Sequence, residues 1–257
     1  MLETGKILSV AMLSEQICQM EINAPQIAAA SSCGQFVNVK VNTTYDPLLR
    51  RPMSLHMIDK EAGTVTILFK LVGVGTALMS QLAKGSPISL MGPLGKGFNT
   101  RIEEKAVCLI AGGIGIAPLY ALAEQLVKAG KTVRLLFGVR SSDEIFSTQP
   151  FSDLGIPVQI ATEDGSSGKK GYVTDFLKDE PVQAEYLYAC GPNPMLAAVQ
   201  ELALAKGLRG QVSLESYMAC GLGACLVCAC EKQGVAGYAK ICQDGPVFNM
   251  GEVLIND

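Results

Sequence analysis

The sequence predicts a mixed architecture in three parts. These are an N-terminal antiparallel β-barrel over residues 1–99, an α/β unit with a doubly wound parallel sheet over 100–210, and a small cysteine module over 211–257. Three observations carry this. The first hundred residues hold short runs rich in Val, Ile, Phe and Thr, set off by regular turn signals. From Lys105 onward, apolar runs alternate with helix-like stretches, the pattern of a parallel sheet wound on both faces. The last forty or so residues break that pattern and hold five of the nine cysteines.

In the first unit, Gln35–Val41 and Thr64–Val72 read as strands, and Met91-Gly92-Pro93-Leu94-Gly95-Lys96-Gly97 as the loop that ends it. In the second, Ala106-Val107-Cys108-Leu109-Ile110 is a buried strand, followed by glycines and a helix to about Ala129. Thr132–Val139, Val158–Ala161 and Glu185–Ala189 are further strands. Pro194–Lys206 is a helix, with Asn193 expected as its N-cap and Pro194 at its first turn. Ala106–Ala123 is an uncharged run of 18 residues, the length at which a membrane span begins to be considered. Gly112, Gly113, Gly115 and Pro118 near its centre make strand, turn and helix the better reading.

Composition narrows the function. Apolar residues make up 49% and charged residues 18% of the 257, which excludes a disordered tail protein. A net charge of −3 gives no basic excess, so nucleic acid is not the expected partner. The single histidine, His56, excludes a site of several His ligands and reads as a satisfied core residue. Nine cysteines cannot all pair within one chain. The opening MLETGKILSV lacks a basic stretch followed by an apolar one, so no secretory signal is expected. A reducing, cytoplasmic setting follows, where clustered cysteines bind metal more often than they form disulfides.

Cys220, Cys225 and Cys228 form C-x4-C-x2-C, and Cys242 follows with Cys230 between. This is the plant-type ferredoxin spacing for a 2Fe-2S cluster, whereas zinc sites more often use two short C-x2-C pairs. Gly221 and Gly223 let the loop wrap closely and aim backbone N–H groups at sulfur. Leu226–Lys232 and Gly237–Cys242 read as a hairpin that returns Cys242 to Cys228, which favours Cys242 over Cys230 as fourth ligand. Cys18, Cys33 and Cys108 read as small buried hydrophobes.

Four other segments suggest nucleotide binding. Ala111-Gly112-Gly113-Ile114-Gly115-Ile116-Ala117-Pro118 joins a strand to a helix, where backbone can approach a pyrophosphate. Arg51-Pro52-Met53-Ser54 offers a cation and a hydroxyl to a phosphate, with backbone between them free to meet a flat ring. Val72-Gly73-Val74-Gly75-Thr76 leads into a helix expected to start near Thr76. Cys190-Gly191-Pro192 ends a strand, where open parallel sheets bind ligands.

In this order the four segments resemble the ferredoxin reductase-type flavoproteins, with R-x-x-S and G-x-G-T in a flavin barrel and G-G-x-G-x-A-P and C-G-P in a nicotinamide domain. Met218-Ala219-Cys220-Gly221-Leu222-Gly223-Ala224-Cys225 and Cys242-Gln243-Asp244-Gly245-Pro246-Val247-Phe248 narrow the likeness to the electron-transfer subunits of two-subunit, NAD-dependent dihydroorotate dehydrogenases. The resemblance covers essentially the whole chain. It implies that Arg51 to Ser54, Leu68, Phe69 and Lys70, and Gly75 with Thr76 hold FAD. It likewise implies that Gly112, Gly113, Gly115, Cys190, Gly191 and Pro192 meet NAD, and that Cys220, Cys225, Cys228 and Cys242 hold the 2Fe-2S cluster. The implied partner is an FMN-containing catalytic subunit in a two-plus-two heterotetramer, with electrons passing from FMN through the cluster and FAD to NAD+, in pyrimidine biosynthesis. Tyr217 stands where a basic residue is expected, which leaves the cluster's potential open. NAD and NADP are not separated: Arg140, Ser141 and Ser142 suit a 2′-phosphate, and Asp143 and Glu144 oppose it. Two other readings stay open. One is the small flavin–iron–sulfur subunit of an NAD(P)H–ferredoxin oxidoreductase, although Glu215-Ser216-Tyr217-Met218 replaces its usual D-G-T-G. The other is a zinc-stapled nucleotide-binding regulator.

Overall fold

The computed structural model describes residues 1–42, 44–179 and 184–256. The first six strands are β1 (Leu2–Met12), β2 (Ile17–Asn23), β3 (Phe36–Lys40), β4 (Arg51–Asp59), β5 (Thr64–Lys70) and β6 (Pro87–Leu94). They close into an antiparallel barrel in the order β1-β2-β5-β4-β3-β6. Helix α1 (Pro25–Ala30) follows β2, and α2 (Val74–Ser80) follows β5. The interior is filled by alternate residues such as Met20, Ile22, Val37, Val39, Val65 and Ile67. Phe36 and Asn38 therefore lie on the outward face of β3.

The second unit contains β7 (Ala106–Gly112), α3 (Leu119–Lys128), β8 (Thr132–Val139), α4 (Gln149–Asp153), β9 (Val158–Thr162), β10 (Lys169–Lys170), α5 (Asp175–Asp179), β11 (Tyr186–Cys190), α6 (Asn193–Ala205) and β12 (Arg209–Ser213). β7 reads as an unbroken apolar run because both its faces are covered. Val107 and Leu109 pack with Leu119, Leu122 and Leu126 of α3. Cys108 and Ile110 pack with Leu196, Val199 and Ala203 of α6. The run 106–123 is thus strand, tight turn and helix. Among the described residues no helix is long and apolar enough to cross a membrane.

The last segment adds β13 (Ala229–Glu231), β14 (Tyr238–Lys240) and β15 (Val247–Asn249). β13 and β14 form the expected hairpin, shorter than the sequence suggests. β15 pairs antiparallel with β12, giving a seven-stranded sheet in the order β10-β9-β8-β7-β11-β12-β15. The cysteine segment is therefore looped out between two adjacent strands of the nucleotide-domain sheet, and Cys228 and Cys242 share an apolar core with that sheet.

Two local expectations are corrected. Residues 91–94, expected in the loop that ends the barrel, complete strand β6 and pair with β1 and β3. Asn193 does not cap α6. The helix begins at Asn193 itself, the Leu196 amide already donates to the Pro192 carbonyl at 3.0 Å, and the Asn193 Nδ2 donates to the Asn256 carbonyl at 2.7 Å. With its third amide satisfied by backbone, the helix start leaves no role for a capping oxygen.

His56 joins barrel to sheet domain. It is fully buried on β4, its Nδ1 donates to the Ala117 carbonyl at 2.8 Å, and the Ser147 hydroxyl lies 3.3 Å from Nε2. The carbonyl fixes the Nδ1–H tautomer, so Nε2 accepts. Burial lowers its pKa below the usual 6.5, with the Ala117 bond partly opposing. A group depressed in this way favours folding above its unfolded pKa. As pH falls below about 6.5, the unfolded chain takes up a proton that the folded chain refuses. Stability is expected to fall as pH drops from about 7.5 to 5.5, and to fall less steeply in His56→Leu. Urea titrations of both proteins across that range check it; equal slopes would contradict it.

Candidate functional site

Two clefts open along the seam between the units. The smaller has a volume of about 250 Å³ and is floored by Pro52, Met53 and Ser54 of β4 and by Leu68, Phe69 and Lys70 of β5, with Thr76 of α2 at one end. Arg51 crosses directly over Gly75: a methyl group there would stand 2.5 Å from Arg51 Nε. R-x-x-S and G-x-G-T are thus one surface, and the absent side chain at Gly75 is what lets the guanidinium lie flat across the helix start. Thr76 departs from the simplest expectation. Its hydroxyl accepts from the amides of Val72 at 3.0 Å and Gly73 at 3.3 Å, so it shapes the turn.

The larger cleft, about 650 Å³, is lined by Gly112, Gly113 and Gly115 and by Gly191 and Pro192. Its place follows from the sheet. β8 and β9 lie to one side of β7, and β11 and β12 to the other, so the order reverses where β7 meets β11. The crevice beyond the carboxyl ends of such strands is where open α/β sheets take ligands. The chain does not enter α3 directly; Gly113–Ile116 first form a 3-10 turn, and α3 begins after Pro118. Cys190 of the C-G-P segment is not in the cleft lining. Its thiol is buried beneath, and burial raises its pKa well above the ordinary value, followed by the nearby Glu215 carboxylate.

Lys70, Ile114 and Glu215 line both clefts, so the two spaces meet at these side chains. Glu215 is the residue that sequence reasoning missed. It follows β12 directly, and a charge just past the carboxyl end of a sheet strand was the available signal. Solvent reaches it through the cleft mouth, yet the protein packed around its carboxyl raises its pKa.

The cysteine loop brings the expected thiols together in two pairs. Cys220 lies beside Cys225, and Cys228 beside Cys242. Backbone amides point at the sulfurs: Leu222 N–H to Cys220 at 3.4 Å, Gly223 N–H to Cys242 at 3.1 Å, and Cys242 N–H to Cys228 at 3.5 Å. Both loop glycines are left-handed, at φ +68° for Gly221 and +77° for Gly223, which turns these amides inward. The amides of Leu222 and Cys225 lower the Cys220 thiol to about 6, while burial raises Cys242 to about 11. Among the described residues no three ligand-type side chains are gathered tightly enough for one metal ion. Two thiol pairs in a nest of N–H donors instead fit a two-iron cluster, in which each iron takes two thiolates. Cys230 packs near Cys228, but its thiol is engaged by the Ala239 carbonyl at 3.6 Å and receives none of these amides. Burial pushes Cys18 to about 11 and Cys33 and Cys108 to about 12, as suits inert core thiols.

Residues 215–254 match the iron–sulfur cluster binding domain of dihydroorotate dehydrogenase B, and residues 109–201 match the oxidoreductase NAD-binding domain. The dihydroorotate dehydrogenase B (NAD(+)) electron transfer subunit of Geobacillus sp. (strain WCH70) is 42% identical over 247 residues, covering 95% of this chain and 91% of the relative. The chain belongs to this family of electron transfer subunits. The family member from Fusobacterium nucleatum subsp. nucleatum is 39% identical, with 95% of each chain covered. Among solved structures, the NADH-dependent reduced ferredoxin–NADP oxidoreductase described for flavin-based electron bifurcation has a chain with a TM-score of 0.87 at 27% identity, covering 98% of this chain and 90% of that one. A ferredoxin NADP+ reductase from Neisseria gonorrhoeae with bound FAD and NADP shares the fold, with a TM-score of 0.69 at 19% identity over 80% of this chain and 92% of that one.

Proposed function

We propose that this chain is the electron-transfer arm of a two-subunit dihydroorotate dehydrogenase: electrons arrive from the FMN of a catalytic partner, cross a 2Fe-2S cluster and FAD held here, and leave on NAD+. The observation that carries this is the meeting of the two clefts at Lys70, Ile114 and Glu215, beside a paired four-thiol loop. A flavin exchanges electron pairs with nicotinamide and single electrons with a cluster, which is the chemistry that this juxtaposition serves.

The chain's own residues do the placing. Arg51 and Ser54 would hold FAD phosphate and ring edge, while Pro52, Met53 and Leu68 to Lys70 exclude water from one face. Gly112, Gly113, Gly115, Gly191 and Pro192 would admit the nicotinamide nucleotide against bare backbone, above the buried Cys190. Arg140 and Glu144 both line that cleft, the one suited to a 2′-phosphate and the other to a ribose diol, and NAD rests on the likeness to the NAD(+)-linked relatives. Cys220, Cys225, Cys228 and Cys242 would hold the cluster. Around them Leu222, Leu226, Val227 and Tyr217 are exposed, as is Cys225, and we place the partner's docking face there. A two-plus-two heterotetramer rests on the likeness to two-subunit enzymes, and a reducing cytoplasmic setting on nine free cysteines.

The isolated chain is expected to oxidise NADH with an artificial acceptor and to leave dihydroorotate untouched. Dihydroorotate-dependent NAD+ reduction should appear when the FMN-containing partner is added. Dihydroorotate turnover by the single chain would overturn the reading. Retention instead of a ferredoxin-linked partner on co-purification would favour the ferredoxin oxidoreductase alternative, which the likeness to the bifurcating enzyme keeps in view.

Arg51→Ala tests the flavin surface. A hydrogen bond to a charged group contributes about 1.5–3 kcal/mol. Its loss should weaken FAD binding roughly ten- to a hundredfold, read as flavin content after dialysis. Thr76→Ala should weaken it less, because the hydroxyl is already engaged in the turn. Flavin content unchanged in Arg51→Ala would count against this surface.

A further inference from the structure

Asn38 stands out among the buried polar side chains. It is 1% exposed, yet among the described residues neither its Oδ1 nor its Nδ2 has a hydrogen-bond partner. A buried, unpaired amide costs about 1–3 kcal/mol, so such a group calls for a ligand. Its surroundings say which. Asn38 pairs with Pro52 across β3 and β4 and shares the outward barrel face with Phe36. Both neighbours line the flavin cleft, and Asn38 does not. Its amide points instead at the cysteine loop: a methyl group on Gly221 would stand 2.1 Å from Asn38 Nδ2. Gly221 directly follows Cys220. The missing side chain there, at a left-handed φ of +68°, opens the path between this amide and the sulfur nest.

We propose that the Asn38 side chain donates a hydrogen bond from Nδ2 to sulfur of the iron–sulfur centre held by the cysteine loop, making it a positioning residue that raises the centre's reduction potential. The inference rests on the reading that the four cysteines hold a 2Fe-2S cluster. An N–H donor stabilises the more negative, reduced form more than the oxidised form. The barrel strand next to the flavin motif then reaches the cluster directly. The donor comes from outside the cysteine segment, so the cluster's potential depends on how the barrel and the loop are docked.

The test uses the complete chain with its cofactors. In Asn38→Leu, which keeps the branched shape and heavy-atom count of the side chain and removes the donor, iron and flavin content should be retained. The oxidised-to-reduced equilibrium of the cluster should shift about tenfold toward oxidised, ~59 mV for a one-electron couple in an EPR-monitored redox titration. The flavin potential should not move. An unchanged cluster potential at full iron content would overturn the proposal. A second measurement covers a variant that fails to assemble. No asparagine occurs between Leu214 and Phe248, so selective 15N-asparagine labelling of the unsubstituted protein marks nitrogen only outside the cluster loop. Pulsed EPR of the reduced cluster should detect a 15N coupling, and its absence would also overturn the proposal. A wild-type chain with no cluster EPR signal at all would instead refute the cluster reading.

Discussion

Cys242→Ser is expected to abolish the visible absorption of the cluster and bring iron per flavin close to zero, while FAD stays bound. Cys230→Ser is expected to keep both cofactors near full occupancy. Cys230 lies two residues beyond Cys228 and is near in sequence, but the hairpin read from the sequence already favours Cys242, and the geometry agrees. The hairpin carries Cys242 back until its own N–H reaches Cys228 sulfur at 3.5 Å, and its sulfur accepts the Gly223 amide at 3.1 Å. Cys242 thus has the inward-turned donor that a thiolate ligand needs, and it is paired with another ligand candidate. Cys230 sits inside β13 opposite Ala239, with its thiol committed to that residue's carbonyl. FAD should survive because its cleft is built on β4, β5 and α2, away from the hairpin. NADH oxidation with a two-electron dye should therefore persist in Cys242→Ser, and electron delivery from the partner should not. Iron and flavin analysis of the two variants decides the matter. A cluster that survives loss of Cys242 but not loss of Cys230 would exchange their roles.

The parts of this molecule that were legible in the sequence are those where a local pattern and a tertiary need coincide. The apolar run from Ala106 to Ile110 could be read as a buried strand because helices cover both faces of β7. The hairpin could be read because a glycine-containing loop divides two short apolar runs, and the thiol loop because its spacing is itself the ligand pattern. What stayed hidden depends on contacts that no window of sequence contains. β15 is three residues long, too short for any periodicity, and is defined only by its pairing with β12. The outward faces of Phe36 and Asn38 were indistinguishable from solvent-facing positions until the cysteine segment folded over them. Glu215 carried a charge and no motif, and it became interesting only when β5, the glycine turn and β12 placed it between two clefts. Asn193 misled because Ser, Thr, Asn or Asp before an apolar run is a general cap signal, and here the side chain is drawn to the Asn256 carbonyl instead.

Gly115→Ala is expected to raise the KM for NADH at least about fivefold while FAD and iron content hold. A β-carbon at Gly115 would stand 2.3 Å from the Cys190 carbonyl oxygen, 2.5 Å from its carbon and 2.6 Å from the Gly191 nitrogen. All three obstacles are backbone atoms at the carboxyl end of the adjacent parallel strand, so no rotamer change relieves the overlap. The turn after β7 must move away from the turn after β11, and the paired turns are the floor of the larger cleft. Overpacking of this kind costs about 1–3 kcal/mol. Charged to the nucleotide-binding conformation alone, that is roughly five- to a hundredfold or more in affinity. The flavin cleft should be spared, because of this region only Ile114 and Ala117 line it, and the cysteine loop is more distant still. Steady-state NADH oxidation with an artificial acceptor reads the effect, and flavin and iron analysis confirm that assembly is intact. An unchanged KM in a fully loaded Gly115→Ala protein would mean that the nicotinamide nucleotide does not lie against these two turns.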